Sequence, residues 1–213
     1  MTTVEHTGRQ RGPVTLHIKT QAADIQVVSD PNVNGSWIEL STPDQSGPAV
    51  DAIRRAEFRD HGNEIHVDLR EGQNVSGGGV TIGGNNYGII AGNVNGYSSQ
   101  VIINGRVVSS SGPFSAGPIT VRAILEPGST LVAKTMSGDV TTKGVHFVQA
   151  QTMSGDIRAD EVTGDSQLKS MSGDIRVQGS PAAHVTASTM SGDVSGSGVV
   201  LSGSSMSGRV LQR

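Results

Sequence analysis

The tail of the chain reads KTMSGDV, QTMSGDI, KSMSGDI, STMSGDV and finally SSMSGRV, so Met136, Met153, Met171, Met190 and Met206 fall 17, 18, 19 and 16 residues apart. A repeat of this length is too short for a strand, a crossover helix and a returning strand. Its variable spacing also excludes a strict short repeat such as the calcium-binding nonapeptide. It suits a solenoid whose coils share one tight corner and differ in their loops. The segments between the motifs, VHFVQAQT, SQLKS, AHVTAST and VVLSGSS, are short, rich in β-branched residues, partly alternating, and bounded by Gly, Ser and Asp. That is strand chemistry. Two or three short strands per coil, stacked about 4.8 Å apart, give a parallel β-helix or a related β-solenoid.

The corner can be read residue by residue. Each Met is followed four positions later by Val or Ile: Met136/Val140, Met153/Ile157, Met171/Ile175, Met190/Val194 and Met206/Val210. The simplest bend points both apolar residues inward. Methionine then fills irregular interior space, and glycine supplies a positive φ at low cost. Ser or Asp hydrogen-bonds the exposed turn backbone.

Composition agrees with an aliphatic core. Aromatics are 3% with a single Trp37, glycine is 29 of 213 residues, and cysteine is absent. The lack of cysteine removes disulfides and Cys-ligated metal sites. A net charge of −3 gives no electrostatic footprint for nucleic acid, and there is no polybasic stretch for anionic lipid. The opening MTTVEHTGRQRG is polar and has no apolar h-region. No apolar run approaches the ~18 residues of a membrane helix. The expectation is a soluble, cytoplasmic chain without membrane insertion.

The expected fold class is all-β: a single-domain parallel β-helix or β-solenoid with coils of about 16–19 residues. A polar tail is expected over 1–12 and the solenoid over 13–213, with the regular coils at 131–213. In VTLHIKT, Leu16 and Ile18 share one face and His17 and Lys19 the other; in EIHVDL, Ile65, Val67 and Leu69 oppose His66 and Asp68. Only GPAVDAIRRAEF suggests a helix, starting at Pro48, of one or two turns, with Val50, Ile53 and Phe58 as its apolar side. Residues 72–117 are a Gly/Asn-rich insertion. Within it, VIINGRVV places Asn104-Gly105 between two β-branched runs, a hairpin signal.

The order of these segments resembles the bacterial β-strand-repeat family labelled "putative adhesin", akin to toastrack-type domains. The residues that carry the likeness are VTLHIKTQAADIQVVSD, NEIHVDL, ITVRAILEPGSTLVAKTMSGDV and the tandem SGD corners. It covers 13–70 loosely and 117–213 well. The resemblance implies a β-solenoid with no established enzymatic activity and no catalytic residues to carry over.

Stacked coils would align Asp139, Asp156, Asp174 and Asp193 in a ladder. Neighbouring carboxylates would repel by roughly 1–3 kcal/mol. Hydrogen bonds to turn amides, pairing with Arg158 and Arg176, or a bound cation would each offset this. A structural ladder is favoured, because a calcium site needs six to eight varied oxygens. Arg209 replaces the fifth aspartate and is read as a C-terminal cap that relieves the ladder. No HExxH-like spacing occurs among the six histidines. His17 and His66 are explained as solvent-facing strand positions. There is no nucleophile elbow, phosphate loop or cofactor motif.

The reading is therefore a non-enzymatic structural or interaction protein with no catalytic, metal or cofactor residues. It acts through self-association or a protein partner, with no nucleic acid and no small-molecule ligand. Tyr87, Ile89, Ile90 and Tyr97 in the insertion are candidate partner contacts. The alternative is a polysaccharide-binding or carbohydrate-active β-helix using the surface aspartates, which would need two carboxylates in distinct environments.

Overall fold

The computed structural model describes residues 1–69, 100–103, 106–110 and 118–213. Two compact units are present, residues 1–71 with 117–213, and residues 72–116. In the second unit, Gln100–Ile103 and Arg106–Ser110 pair antiparallel, as the Asn-Gly dipeptide between them predicts. Tyr87, Ile89, Ile90 and Tyr97 lie outside the described residues.

The first unit is a solenoid of two-strand coils. Strict alternation of apolar and polar residues lets one strand face bury while the other meets water. The first coil consists of β6 (Glu64–Asp68) and β9 (Thr120–Leu125); the second, of β2 (Thr15–Lys19) and β3 (Asp24–Ser29). The third and fourth are β10 (Thr130–Lys134) with β11 (Val140–Lys143), and β12 (Phe147–Gln151) with β13 (Ile157–Val162). The fifth and sixth are β14 (Ser166–Lys169) with β15 (Ile175–Gly179), and β16 (His184–Thr189) with β17 (Val194–Ser197). The last is β18 (Val200–Ser205) with β19 (Val210–Gln212).

Even-numbered and odd-numbered strands do not mix between the two parallel stacks except at the first coil's partners. One sheet runs β6-β2-β10-β12-β14-β16-β18 and the other β9-β3-β11-β13-β15-β17-β19. Chain order and spatial order agree from the third coil onward. The first coil is built from later sequence than the second, and residues 70–117 interrupt it between β6 and β9, where every other coil has its tight corner.

The core lies between the two sheets. In the β9 sheet, Val121, Ile25, Val140, Ile157, Ile175 and Val194 stack in register and are all buried. Leu16, Leu131, Val148 and Leu168 face them from the other sheet and are equally buried. Burying each such side chain contributes roughly 1.5–3 kcal/mol before chain entropy is counted. Aromatic rings are not needed, because the gap between the sheets is filled by aliphatic columns.

The ends of the solenoid differ. At the first coil, β5 (Glu57–His61) pairs antiparallel with β6, and β4 (Trp37–Thr42) pairs antiparallel with β9. β1 (Thr2–Thr7) then adds to β4. Residues 1–12, expected as a polar tail, thus supply an edge strand whose alternate residues are half-buried. Helix α1 (Pro48–Arg54) starts at its expected proline, packs against β1 and β4, and buries Ala49, Val50, Ala52 and Ile53. Phe58 corrects the expectation: it leaves the helix for β5 and stacks on His6, with ring centroids 4.7 Å apart. His6 Nε2 also meets Asp60 Oδ1 at 2.9 Å, tying β1 to β5 and hence one sheet to the other. At the other end, β18 and β19 are the sheet edges, and Val200, Val210 and Leu211 remain exposed.

Candidate functional site

The repeated corner follows from alternation that runs past the strand end. In LVAKTM, Leu131, Ala133 and Thr135 point inward, so Val132, Lys134 and Met136 point outward. The inward-methionine expectation is therefore overturned. Met136, Met153, Met171 and Met190 are 44–51% exposed, and Met206 is 79% exposed. The partner residues Val140, Ile157, Ile175 and Val194 are buried as expected, while Val210 in the last coil is exposed.

The interior of the bend is too tight for methionine. A Cβ added at Gly138, Gly155, Gly173, Gly192 or Gly208 would fall well inside 3.0 Å of a carbonyl oxygen in the preceding coil. Close backbone approach explains the glycine, whereas Gly138, Gly155 and Gly173 do not have the positive φ expected of them. The inner position is held by the residue before each methionine. Thr135, Thr152, Ser170 and Thr189 are buried. The Thr152 and Ser170 hydroxyls donate to the carbonyl oxygens of Gly138 and Gly155, at 3.4 and 3.2 Å. Those of Thr189 and Ser205 donate to Gly173 and Gly192, at 3.1 and 2.8 Å. The Thr135 and Thr152 hydroxyls also accept from their own coil's glycine N–H.

The aspartates serve the same stacking. The N–H of Asp156 donates to Asp139 Oδ1 at 2.8 Å, that of Asp174 to Asp156 Oδ1 at 2.8 Å, and that of Asp193 to Asp174 Oδ1 at 2.9 Å. The N–H of Arg209 closes the series on Asp193 Oδ1 at 2.8 Å. The carboxylates use turn amides, as one expectation held, but those of the next coil. Arg176 pairs with Asp174 within its coil at 3.0 Å, and Arg158 with Asp160 at 2.9 Å, so neither guanidinium makes the expected cross-rung bridge. Four carboxylates in equivalent roles do not form the dissimilar pair that glycoside hydrolysis needs.

The series also starts earlier than the MSGD motifs. The N–H of Asp139 donates to Asp24 Oδ1 at 3.0 Å, and Ala23 N–H to the Thr20 hydroxyl at 3.2 Å. Thr20-Gln21-Ala22-Ala23-Asp24-Ile25 is thus a sixth corner. Its signal was the shared pattern of a hydroxyl residue four before Asp and an aliphatic residue after it.

Two surfaces stand out on this frame. The first is the outer ridge of the corner. The N–H groups of Ser154, Ser172, Ser191 and Ser207 donate to the carbonyls of Met136, Met153, Met171 and Met190. The five methionines therefore form one stripe, stepped at the inter-strand spacing of about 4.8 Å. Lys134 and Lys169 flank it on one side, and the four aspartates on the other.

The second surface is a groove on the outer face near the capped end, with a volume of about 500 Å³. Register aligns Arg59, His66, His17 and Val132 across β5, β6, β2 and β10. His17 and His66 stack with centroids 4.4 Å apart, and His61 meets His66 edge-on at 6.2 Å. His66 Nε2 lies 3.4 Å from Glu64 Oε2. Ligand atoms of His17, Glu64 and His66 all fall within 4.8 Å of one another. Partial burial and then the neighbouring His66 lower the pKa of His17 below the usual imidazole value, partly offset by Glu64. Sequence spacing hid this cluster, because His17 and His66 meet only through strand register. Among the described residues, no helix is long and apolar enough to cross a membrane.

Residues 55–204 match the family model described as Toastrack DUF4097. No curated protein matches the chain. Among solved structures, a putative adhesin from Bacteroides fragilis is similar at 10% identity, with 100% of this chain and 97% of that chain covered and a TM-score of 0.40. A putative cell adhesion protein from Clostridium sporogenes is similar at 5% identity, with 100% of both chains covered and a TM-score of 0.42.

Proposed function

The chain belongs to the toastrack DUF4097 family, and from that premise we propose that it is a non-enzymatic interaction scaffold whose working surface is the methionine ridge, joined to the ridge of a second copy. The observation that carries this is the exposure of five aligned methionines. Folding has no use for them, since the bend is filled by glycine and short hydroxyls. Flexible, polarizable methionine suits adaptable apolar contact, and a contiguous exposed apolar stripe marks an interaction site.

Charge selects the geometry. Two ridges face to face about a two-fold axis parallel to the solenoid set the lysine flank of one copy against the aspartate flank of the other. Lys134 then meets the Asp139 column, and Lys169 the Asp174 column. The perpendicular two-fold would oppose like flanks and be disfavoured. The stripe is narrow, so it buries less than the roughly 1,200–2,000 Å² of stable interfaces, and the association is weak and reversible. Arg209, at the exposed last coil, is a charge that discourages edge-to-edge strand pairing; in this reading the cap is electrostatic.

Sedimentation velocity from micromolar to millimolar chain tests the reading. We expect a concentration-dependent dimer that Met153→Lys with Met171→Lys abolishes while leaving the melting temperature unchanged. A wild-type monomer throughout that range would overturn it. So would a dimer indifferent to these substitutions, which would move the contact elsewhere.

A further inference from the structure

We propose that His17, Glu64 and His66 form a site for a borderline divalent transition metal, Zn²⁺ foremost, that bridges the first two coils. The residues come from adjacent parallel strands, His17 from β2 and Glu64 and His66 from β6. Their outward direction follows from alternation, because Leu16, Ile18, Ile65 and Val67 occupy the buried face. The donor set of two imidazoles and one carboxylate matches zinc and its neighbours, which take nitrogen and oxygen ligands together. It does not match calcium or magnesium, which require oxygen shells.

The distances are close to what coordination needs. Zinc bonds of about 2.0–2.2 Å at tetrahedral angles place ligand atoms about 3.4 Å apart. The present atoms lie within 4.8 Å of one another, and one pair is already at 3.4 Å. The His17 and His66 rings stack with their planes 7° apart, so one imidazole must turn about its side-chain bonds to bring its in-plane lone pair onto a shared ion, and the exposed side chains of Glu64 and His66 leave room for that turn. The open groove leaves the fourth position to water, with His61 edge-on to His66 at its rim.

A metal here would act as a clip. β6 belongs to the coil interrupted by residues 70–117, and it carries the antiparallel strand β5 on its other side. Bonding its outer face to β2 would fasten that coil to the next one without any tight corner between its strands. Anything that binds the folded state alone stabilises it by mass action.

Isothermal titration of the metal-free full chain with Zn²⁺ tests this. The expected result is uptake of one ion per chain, with a raised melting temperature and no heat from Mg²⁺ or Ca²⁺. His66→Ala should weaken binding at least about tenfold, since losing even an outer-shell partner of a ligand costs about 10–100-fold, whereas His146→Ala, in another coil, should leave it intact. Glu64→Gln, at an exposed position at the start of β6, provides the same test where His66→Ala fails to fold. Proton NMR should show the imidazole signals of His17 and His66 shifting together, with those of His184 fixed. Equal Zn²⁺ affinity in His66→Ala and Glu64→Gln, or no uptake by the wild type, would overturn the assignment.

Discussion

Each coil turns twice, and the two turns obey different rules. The turn from the β10-containing sheet to the other has the same length in every MSGD coil, because its hydroxyl, glycine and aspartate all bond or admit a neighbouring coil. Its glycine admits the neighbouring backbone, its buried hydroxyl bonds the carbonyl of the previous glycine, and its aspartate accepts the next amide. The opposite turn also bonds its neighbours, with Gly164 N–H donating to the His146 carbonyl and His184 N–H to Asp165 Oδ1, but these contacts do not repeat from coil to coil. It takes three residues at 144–146 and 163–165, four at 180–183 and two at 198–199. The uneven methionine spacing arises there and at the bulge in β13. Repetition in the sequence therefore records one contact set reused by successive coils, and variation records contacts that differ from coil to coil.

Four substitutions, two of them with a control in the opposite turn, and one glycine insertion break or sharpen this comparison. The largest effect is expected for Gly173→Ala, whose Cβ would collide with the Gly155 carbonyl. It should cost about 3 kcal/mol or more by overpacking, read as a lowered denaturant midpoint; the same change at Gly198 in the opposite turn should cost less, because its Cβ would lie 2.8 Å from the Gly179 carbonyl oxygen against 2.1 Å for Gly173 and the Gly155 oxygen, although its positive φ of 65° also favours glycine. Next is Thr152→Val, which removes a buried hydroxyl that both donates and accepts. A loss of about 2 kcal/mol is expected, with Thr163→Val on the opposite turn close to neutral in the same urea titration. Asp156→Ala should cost about 1 kcal/mol through the orphaned amide of Asp174. Arg209→Asp should change thermal stability by less than about 0.5 kcal/mol, since its backbone N–H makes the bond. The smallest effect belongs to one glycine inserted after Pro181. Loop entropy there is worth only a few tenths of a kcal/mol, whereas the same insertion after Ser172 should collapse the cooperative melt seen by circular dichroism.

Much of this was legible in the residues, and the gaps have physical causes. Coil length and parallel stacking followed from the motif spacing, and the inward faces of VTLHIKT and EIHVDL from alternation. The orientation of the methionines was missed because Met and Val four apart suggested a shared apolar pocket. Continuing the alternation of LVAKTM through Thr135 would have turned the methionine outward. The corner at Thr20–Asp24 was hidden because Gln21 and Ala22 replace Met and Ser at positions that face solvent. The spatial order of the first two coils, and with it the approach of His17 to His66, depends on a chain reversal through β4 and β5. No local pattern encodes that reversal.

The aspartate ladder has a direction. In every rung the carboxylate belongs to the earlier coil and the amide to the later one. A chain synthesised from its N-terminus thus lays down each acceptor before the donor it will meet. From Asp24 onward, a newly emerged coil finds its docking partner already in place and leaves an acceptor for its successor. In a structure whose stability is the sum of neighbour-to-neighbour terms, folding can nucleate at any coil, but during synthesis the aspartate ladder can be extended only toward the C-terminus.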